Sequence, residues 1–249
     1  MSRWIKTSLF ALLALLIVAT LGFVLWANQA LPPMAEALAA LQSDAQVEVR
    51  STEGRLEFFP RNATSEPGLI FYPGGRVDFR AYAPLAKAIA AKGYPVFLIK
   101  MPLNLAFFNP NAAEAVIAQH PEIRRWVIGG HSLGGAMAAN FAKKHPQQVD
   151  GLVLWAAYPA SSDDLSNSGL AVLSVFADQD TLATLEKIQA SRALLPSNTQ
   201  WVKIQGGNHA QFGWYDDQPV DGIATIGREV QQEQILAATV QFLESIKRR

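Results

Sequence analysis

Short runs of apolar residues alternate along the chain with amphipathic stretches, in which apolar positions recur three and four residues apart. Short continuous apolar runs are typical of strands that are buried on both faces. They predict strands over residues 69–72, 96–99, 126–129, 152–155, 172–176 and 201–204. The amphipathic stretches predict helices over residues 81–92, 111–119, 134–144, 181–194 and 228–246. This alternation predicts an α/β fold, with a mostly parallel central sheet and helices on both faces.

Shorter elements precede this alternation. Residues 47–50 and 56–59 flank a Thr-Glu-Gly turn and predict a hairpin, which adds antiparallel strands at one edge of the sheet. Residues 31–46 predict a linker that contains a short helix near residues 34–41. We expect residues 47–249 to form a single domain without internal repeats.

The beginning of the chain differs in composition from the rest. Residues 8–27 are apolar and uncharged, and they follow the basic residues Arg3 and Lys6. No further charge occurs before Glu36. A helix of this length spans a hydrocarbon core of ~30 Å, so the segment predicts a transmembrane helix ahead of the α/β fold.

Two tryptophans support this interpretation. Trp4 and Trp26 lie near the ends of the apolar segment, where indole rings favour the membrane interface. The alternative is a cleavable signal peptide, but Ala30 with Asn28 two residues earlier makes a poor cleavage site. We therefore expect residues 1–30 to be an uncleaved signal anchor in the lipid bilayer. Because positive charges stay in the cytoplasm, we expect a single-pass protein of the cell membrane whose domain lies on the non-cytoplasmic side.

Composition excludes several kinds of chemistry. The chain has 21 Lys and Arg against 21 Asp and Glu, so it lacks the basic field that a nucleic-acid partner usually needs. It has no cysteine, which excludes disulfides, thiolate metal sites and a cysteine nucleophile. Nucleotide-binding glycine motifs and the H-E-x-x-H motif are also missing from the sequence, so we expect neither a cofactor nor a metal.

A candidate nucleophile lies between a predicted strand and a predicted helix. Residues 130–134 read Gly-His-Ser-Leu-Gly and match the pattern G-x-S-x-G, with Ser132 at its centre. The pattern alone is weak, but its position directly after a strand and before a helix is typical of a nucleophile on a strained turn. The alternative is a structural serine in an ordinary glycine loop.

A serine hydroxyl needs a base to remove its proton, and the chain has four histidines. The side chain of His131, beside the serine, is expected to point away from the serine's pocket. His120 and His145 each precede a proline at a helix end and are interpreted as surface positions. His209 follows the last predicted strand, at the edge of the sheet where α/β proteins gather their chemistry, so it is the candidate base.

An acid is needed to orient the histidine and to stabilise its charged form. The loop after the strand at residues 172–176 carries Asp178 and Asp180, and the chain order Ser, Asp, His fits either of them. The residues themselves do not separate these two aspartates. Asp163 and Asp164 are a further alternative.

Backbone amides must also stabilise the negative charge of a tetrahedral intermediate. The amide of Leu133, directly after the serine, is one expected donor. The sequence "IFYPGGRVD" is expected to supply the second from Gly75 or Gly74, where no side chain blocks the backbone. The alternative is a plain Pro-Gly turn.

Walls for a substrate pocket are expected near these residues. The candidates are Met101, Asn104, Tyr158 and Phe212, and each could equally be a core residue. No long insertion that would form a large lid separates the strands at residues 152–155 and 172–176. A largely apolar rim suits the acyl or alcohol part of an ester.

Together these residues resemble the α/β-hydrolase superfamily, and more specifically the bacterial group described as α/β-hydrolase fold-5, or dienelactone-hydrolase-like, domains. The matching segments include "VIGGHSLGGAMAANFA" and "GGNHAQFGWYDDQPVDGIATIGREVQQEQI", and they cover most of residues 69–243. In such folds the acid ends a G-x-x-D turn, which aligns with residues 177–180, so the resemblance favours Asp180. Ala177 replaces the glycine, which leaves Asp178 open. Dienelactone hydrolases use a cysteine nucleophile, so the group name does not indicate the substrate.

The resulting hypothesis is a membrane-anchored serine hydrolase of small-molecule carboxylic esters or related acyl compounds, with residues 47–249 as its catalytic domain. Ser132, His209 and Asp180 would form its catalytic triad. Two alternatives stay open: a catalytically silent binding module of the same fold, and a non-hydrolytic use of the same triad.

Overall fold

The computed structural model describes residues 3–62 and 66–248. Within these residues, one sheet is built from eight strands: β1 (Val47–Thr52), β2 (Arg55–Pro60), β3 (Gly68–Tyr72), β4 (Val96–Ile99), β5 (Trp126–His131), β6 (Gly151–Trp155), β7 (Ala171–Ala177) and β8 (Gln200–Ile204). Their spatial order is β1-β2-β4-β3-β5-β6-β7-β8. β2 pairs antiparallel with β1 and β4, and all the other neighbours are parallel. The predicted fold class and the antiparallel edge are thus confirmed.

The helices of the described chain are α1 (Arg3–Asn28), α2 (Ala35–Ala39), α3 (Ala83–Ala91), α4 (Ala112–Gln119), α5 (Leu133–Lys144), α6 (Leu185–Ser191) and α7 (Arg228–Lys247). Short 3-10 turns occur at Phe79–Tyr82, Pro102–Asn104, Ala106–Phe108, Arg192–Leu194 and Ala210–Phe212. Each helix expected from the sequence occurs close to its predicted position.

One predicted helix begins later than expected. The pattern predicts a helix over residues 181–194, but α6 begins only at Leu185. The carboxylate of Asp180 accepts hydrogen bonds from the amides of Leu182 and Ala183, which holds these residues in a turn. Thr184 then caps the helix through its side chain. A local side-chain acceptor therefore competes with helix formation here.

Alternate residues of each central strand enter different hydrophobic clusters, one on each face of the sheet. In β3, Leu69 and Phe71 belong to the cluster covered by α3 and α7, whereas Ile70 and Tyr72 belong to the cluster covered by α4 and α5. This is the two-residue period expected of a strand that is buried on both sides. The continuous apolar runs in the sequence reflect this double burial.

The helix α1 is exposed along most of its length, but its end contacts the domain. By length and composition it is able to cross a membrane, a property that signal sequences share. The segment after it contacts the domain, since Leu31 forms a bridge with Val77 and Pro33 forms one with Tyr215. The expected boundaries at residues 30 and 46 stay predictions.

Candidate active site

The backbone of Ser132 is held in an unusual conformation between β5 and α5. Its φ is 52° and its ψ is −122°, in a region that L-residues rarely adopt. The amide of Ser132 donates a hydrogen bond to the carbonyl of Trp155 on the neighbouring strand β6, at 3.0 Å. This strand–turn–helix geometry is the one that a G-x-S-x-G motif predicts for a nucleophile.

The glycines of the motif are required by close packing. A Cβ on Gly130 would lie 2.4 Å from the carbonyl carbon of Gly134. A Cβ on Gly134 would lie 2.3 Å from the carbonyl oxygens of Tyr72 and Pro73. No side chain fits at either position without a shift of the backbone, so the sharp turn depends on both glycines.

His209 is paired with Asp180 in the interior of the protein. The Nδ1 of His209 donates to Oδ2 of Asp180 at 2.7 Å, and their side chains are only 2% and 0% exposed. The other carboxylate oxygen, Oδ1, accepts from the amides of Leu182 at 2.8 Å and Ala183 at 2.7 Å. The carboxylate is therefore held from both sides, and Nε2 is the imidazole nitrogen left for proton transfer.

The other aspartate in this loop, Asp178, connects two loops instead of contacting His209. Oδ1 of Asp178 accepts from the amide of Gly206 at 2.7 Å, so it ties the end of β7 to the loop after β8. Its second side-chain contact is with Gln179. The geometry thus separates two carboxylates that the residues alone left equivalent, and it is Asp180 that contacts the histidine.

Asp163 and Asp164 do not contact His209 either. Asp163 accepts from the side-chain amide of Asn140 at 2.9 Å. Asp164 accepts from the backbone amide of Ser166 at 2.8 Å. Both therefore stabilise the loop after β6 rather than the site.

The two expected glycine donors differ in availability. The amide of Gly74 donates to the hydroxyl of Tyr82 at 3.0 Å, so it is already used, and Gly74 is corrected from a candidate oxyanion donor to a structural residue. Among the described residues, the amide of Gly75 has no hydrogen-bond acceptor, and Leu133 begins α5, where amides lack an intrahelical acceptor. A Cβ on Gly75 would lie 3.1 Å from Cδ2 of Leu133, so the two candidate donors are neighbours.

His131 lies behind the candidate base, a contact that the sequence does not predict. The ring centroids of His131 and His209 are 4.4 Å apart, and Nδ1 of His131 is 2.8 Å from the hydroxyl of Tyr82. Burial lowers the pKa of His131 well below its ordinary value, and the neighbouring His209 lowers this pKa further. His131 is therefore neutral near pH 7. It does not line the cavity, as expected.

The loop that carries the histidine is fixed from α7 and from the loop before it. The side chain of Gln231 accepts from the amide of Asn208 at 3.0 Å and donates to its carbonyl at 2.8 Å. Asp221 accepts from the amide of Ala210 at 2.8 Å, and Arg228 donates to its carbonyl at 3.0 Å. Sequence reasoning missed these supports. A glutamine on the buried face of an amphipathic helix was the available signal.

Ser132 and His209 line one cavity of about 230 Å³. The remaining wall consists largely of small apolar residues, Ala136, Ala156 and Ala157 among them, and it includes Tyr158. The hydroxyl of Ser132 makes no hydrogen bond to another described residue. Catalytic hydrogen bonds are often long before a substrate binds, so the shared cavity is the relevant geometry.

The other three predicted pocket residues lie elsewhere. Met101 is buried in the core. Phe212 is also fully buried, and it stacks on His131 with a centroid distance of 5.5 Å. The side chain of Asn104 donates to the carbonyl of Ala27, at the end of α1. Their prediction as pocket walls is corrected, because core packing and the N-terminal helix occupy these side chains.

The remaining histidines are more buried than expected. His120 packs against Phe97, with a centroid distance of 4.7 Å, and His145 stacks on Phe141 at 4.5 Å. Both are partly buried and neither lines the cavity, so the prediction of plain surface positions is corrected. Phe97 reaches His120 from a strand that is distant in the sequence. Phe141 lies four residues before His145, at the end of α5, so this second contact is a local one.

Several solved structures of similar fold are described as esterases or lipases. Est1E from Butyrivibrio proteoclasticus has a TM-score of 0.60 and 15% identity, over 82% of this chain and 100% of that chain. The monoacylglycerol lipase of Paleococcus ferrophilus has a TM-score of 0.56 and 14% identity, over 80% and 99%. The esterase domain of a Rhodothermus marinus protein has a TM-score of 0.54 and 15% identity, over 66% and 90%. At such identities these similarities show the fold alone.

Sequence comparison adds the family. No match was found among curated protein sequences. A family model described as the alpha/beta hydrolase family matches residues 68–233, which is more than half of the chain. The matched range includes the strained serine, the buried carboxylate and the histidine described above. The chain therefore belongs to the alpha/beta hydrolase family, as its motifs indicate.

Proposed function

We propose that this protein is a membrane-anchored serine hydrolase, which cleaves carboxylic esters or related acyl bonds through Ser132, His209 and Asp180. One observation carries the proposal: His209, hydrogen-bonded at 2.7 Å to the buried Asp180, lines the same cavity as Ser132. A hydroxyl on a strained turn, an imidazole and a buried carboxylate are the components of acyl-transfer catalysis.

In the proposed reaction, the Ser132 oxygen attacks the substrate carbonyl while Nε2 of His209 takes its proton. The amides of Leu133 and Gly75 donate hydrogen bonds to the resulting oxyanion. The tetrahedral intermediate collapses when His209 returns the proton to the leaving alcohol, which leaves an acyl group on the serine. Water, deprotonated by His209, then attacks the acyl-enzyme, and the acid and the free serine are released.

The residues around His209 hold the imidazole in place for this reaction. Asp180 lies beside Nδ1 and offers a negative charge in a buried position, where electrostatic interactions are stronger than in water. His131 packs on the same ring but is neutral, since burial lowers its pKa. It therefore adds no competing positive charge next to the base.

The cavity favours an uncharged, apolar substrate group of modest size. Four alanines, two leucines and Tyr158 contribute to its wall, and no Lys, Arg, Asp or Glu lines it among the described residues. An acyl or alcohol group fits such a surface better than an ionised group does.

The anchor is the second part of the proposal. α1 has 26 residues, is long and apolar enough to span a bilayer, and exposes its apolar side chains. Arg3 and Lys6 precede its apolar part, so we propose that the domain lies on the non-cytoplasmic side of the membrane.

Ester hydrolysis by the full-length protein in detergent tests the proposal. Wild-type protein is expected to hydrolyse p-nitrophenyl esters, whereas Ser132→Ala and His209→Ala are expected to lose about 10³-fold or more of kcat/KM. Asp178→Asn serves as the control, because this carboxylate contacts Gly206 and not His209. Hydrolysis by Ser132→Ala at the wild-type rate would contradict the proposal.

A further inference from the structure

The last turns of α1 pack against an exposed aromatic loop of the domain. Phe107 and Phe108, in the turn Ala106–Phe108, are each 46% exposed, and their rings are 4.3 Å apart. Phe108 meets Phe23 of α1 edge-on at 6.1 Å, and Phe23 lies 5.8 Å from Trp26. These four side chains, Phe23, Trp26, Phe107 and Phe108, form one aromatic patch. A contiguous exposed apolar surface of this kind indicates a binding surface.

Hydrogen bonds fasten the end of α1 to the domain. Arg76 donates from Nε to the carbonyl of Trp26 at 3.0 Å and from Nη2 to that of Gln29 at 2.9 Å. Its guanidinium also lies 4.3 Å from the centre of the Trp26 ring. Asn104 donates to the carbonyl of Ala27 at 3.1 Å. Carbonyls at a helix C-terminus otherwise lack partners, so these bonds fix the helix relative to the aromatic patch.

The depth of α1 in a membrane therefore sets the depth of the loop. Phe23 lies three residues before Trp26, which is about 4.5 Å along the helix axis. A ring in contact with Phe23 lies at the level of the bilayer interface when α1 spans the membrane. Residues 101–110 carry no charge, so this loop enters the interface without desolvating an ion.

The same loop reaches the candidate active site. Leu105 lies two residues before Phe107, and its Cδ2 is 3.7 Å from the position of a Cβ on Gly75, the proposed oxyanion donor. The turn Ala106–Phe108 also packs against α5, the helix that begins directly after Ser132. Lipid contact at the aromatic patch is thus adjacent to the residues that would handle the substrate.

We propose that the aromatic patch is seated in the bilayer interface, and that the enzyme takes acyl esters which reside in that bilayer. The substrate class is an amphiphilic ester whose acyl chain lies in the lipid and whose carbonyl is near the interface. This inference rests on the proposed function, since it assumes that the site cleaves esters and that α1 spans the membrane.

The position of the patch can be measured without any activity. The chain has no cysteine, so Phe107→Cys provides a single site for an environment-sensitive fluorophore. Val230→Cys is the matched control, because Val230 is 47% exposed on α7. The full chain is reconstituted in phosphatidylcholine vesicles with the domain outside. We expect nitroxide-labelled lipid to quench the fluorophore at 107 and aqueous iodide to quench the one at 230. Equal iodide quenching at both positions would overturn the seating of the patch.

The substrate class is tested with two esters in the same vesicles. One is a water-soluble acetate ester, and the other is a long-chain ester that partitions into the bilayer. We expect Phe107→Ser/Phe108→Ser to lose about tenfold or more of its rate on the long-chain ester, with less than about a twofold change on the soluble ester.

A matched pair of exposed residues controls for surface changes. Leu185→Ser/Val230→Ser removes apolar side chains of similar exposure, 41% and 47%, and is expected to leave both rates unchanged. An unchanged rate of Phe107→Ser/Phe108→Ser on the long-chain ester would overturn the proposed substrate class. A wild-type protein that cleaves neither ester would contradict the proposed function itself, while the fluorophore measurement still decides the position of the patch.

Discussion

At the scale of single residues, Ser132 is identifiable from sequence because its backbone strain requires particular neighbours. A residue at φ 52° and ψ −122° costs about 1–3 kcal/mol, which surrounding packing must offset. Gly130 and Gly134 permit that packing, since no Cβ fits at either position. The residues that permit the strained backbone of Ser132 are thus part of the same five-residue motif, which is why the candidate nucleophile could be predicted from the sequence.

Unlike Ser132, the aspartate that pairs with His209 and the residues that pack around His209 are not identifiable from the local sequence. Asp178 and Asp180 lie two residues apart in one turn, and only their tertiary partners distinguish them. The contact of His131 with His209 likewise joins residues that are far apart in the sequence. Local patterns hold no information on such contacts, so the sequence could predict the residue types of the site but not these pairings.

The distinction between the two aspartates predicts different mutant activities. Asp180→Asn removes the charge beside Nδ1 of His209, so we expect kcat/KM to fall by about 10³–10⁴-fold, measured as ester hydrolysis. Asp178→Asn, as the matched control, is expected to remain within about tenfold of wild type, because it changes only a loop contact. A larger loss in Asp178→Asn than in Asp180→Asn would contradict this assignment.

The buried, neutral His131 predicts a dependence of stability on pH. The unfolded chain binds a proton at this histidine near the ordinary pKa of 6.5, whereas the folded protein does so only at a much lower pH. Below pH 6.5 the unfolded state thus binds more protons, and stability decreases as the pH falls, by up to about 1.4 kcal/mol per pH unit. In urea titrations between pH 7.5 and 5, His131→Phe should lose less stability than wild type. An identical decrease in both proteins would contradict this role of His131.

At the scale of elements, the sequence predicted the helices and strands well where burial is continuous. Apolar runs such as that of β5 are buried on both faces, so their pattern reports tertiary structure directly. The late start of α6 was not predictable from periodicity, because the amides of Leu182 and Ala183 donate to the carboxylate of Asp180 and these residues form a turn instead of a helix. The residue that contacts His209 thus also determines where this helix begins.

A residue of α7 is expected to affect catalysis indirectly, through the position of His209. Gln231 holds both backbone groups of Asn208, so Gln231→Ala should let the adjacent His209 move. We expect kcat to fall by about tenfold or more with a smaller change in KM, since misplacement of a catalytic group mainly affects the transition state. Gln234→Ala is the control on the same helix, as Gln234 is exposed and its side chain donates to the carbonyl of Val230 rather than to the loop of His209. Equal kinetics of the two variants would contradict the positioning role.

At the scale of the whole molecule, the sequence predicted a hydrolase-type sheet but not how the N-terminal segment meets it. The length and composition of α1 make it able to span a membrane, and nothing in the local pattern shows that its last turn binds the domain. Arg76 and Asn104 make these contacts from loops that are distant in the sequence. The segment that follows α1 packs beside the loop of Gly75, through the bridge of Leu31 with Val77.

This attachment predicts a measurable change in protease protection. Arg76→Ala removes two hydrogen bonds that a charged donor makes to the end of α1. Each such bond contributes up to about 3 kcal/mol to stability. We expect faster limited proteolysis of the full-length protein between α1 and α2. Arg80→Ala is the control, because Arg80 is paired with Asp78 and does not contact α1. Equal cleavage rates in both variants would show that Arg76 does not hold this junction.

The most direct test of the central claim is to identify the side chain that a fluorophosphonate probe modifies in the native, full-length protein. The probe reports a hydroxyl activated by a neighbouring base, whatever the natural substrate is. We predict one adduct on Ser132 by peptide mass spectrometry, no adduct in Ser132→Ala, and strongly slowed labelling in His209→Ala. Labelling of Ser132→Ala at the wild-type level, or no labelling of native wild-type protein, would contradict the account.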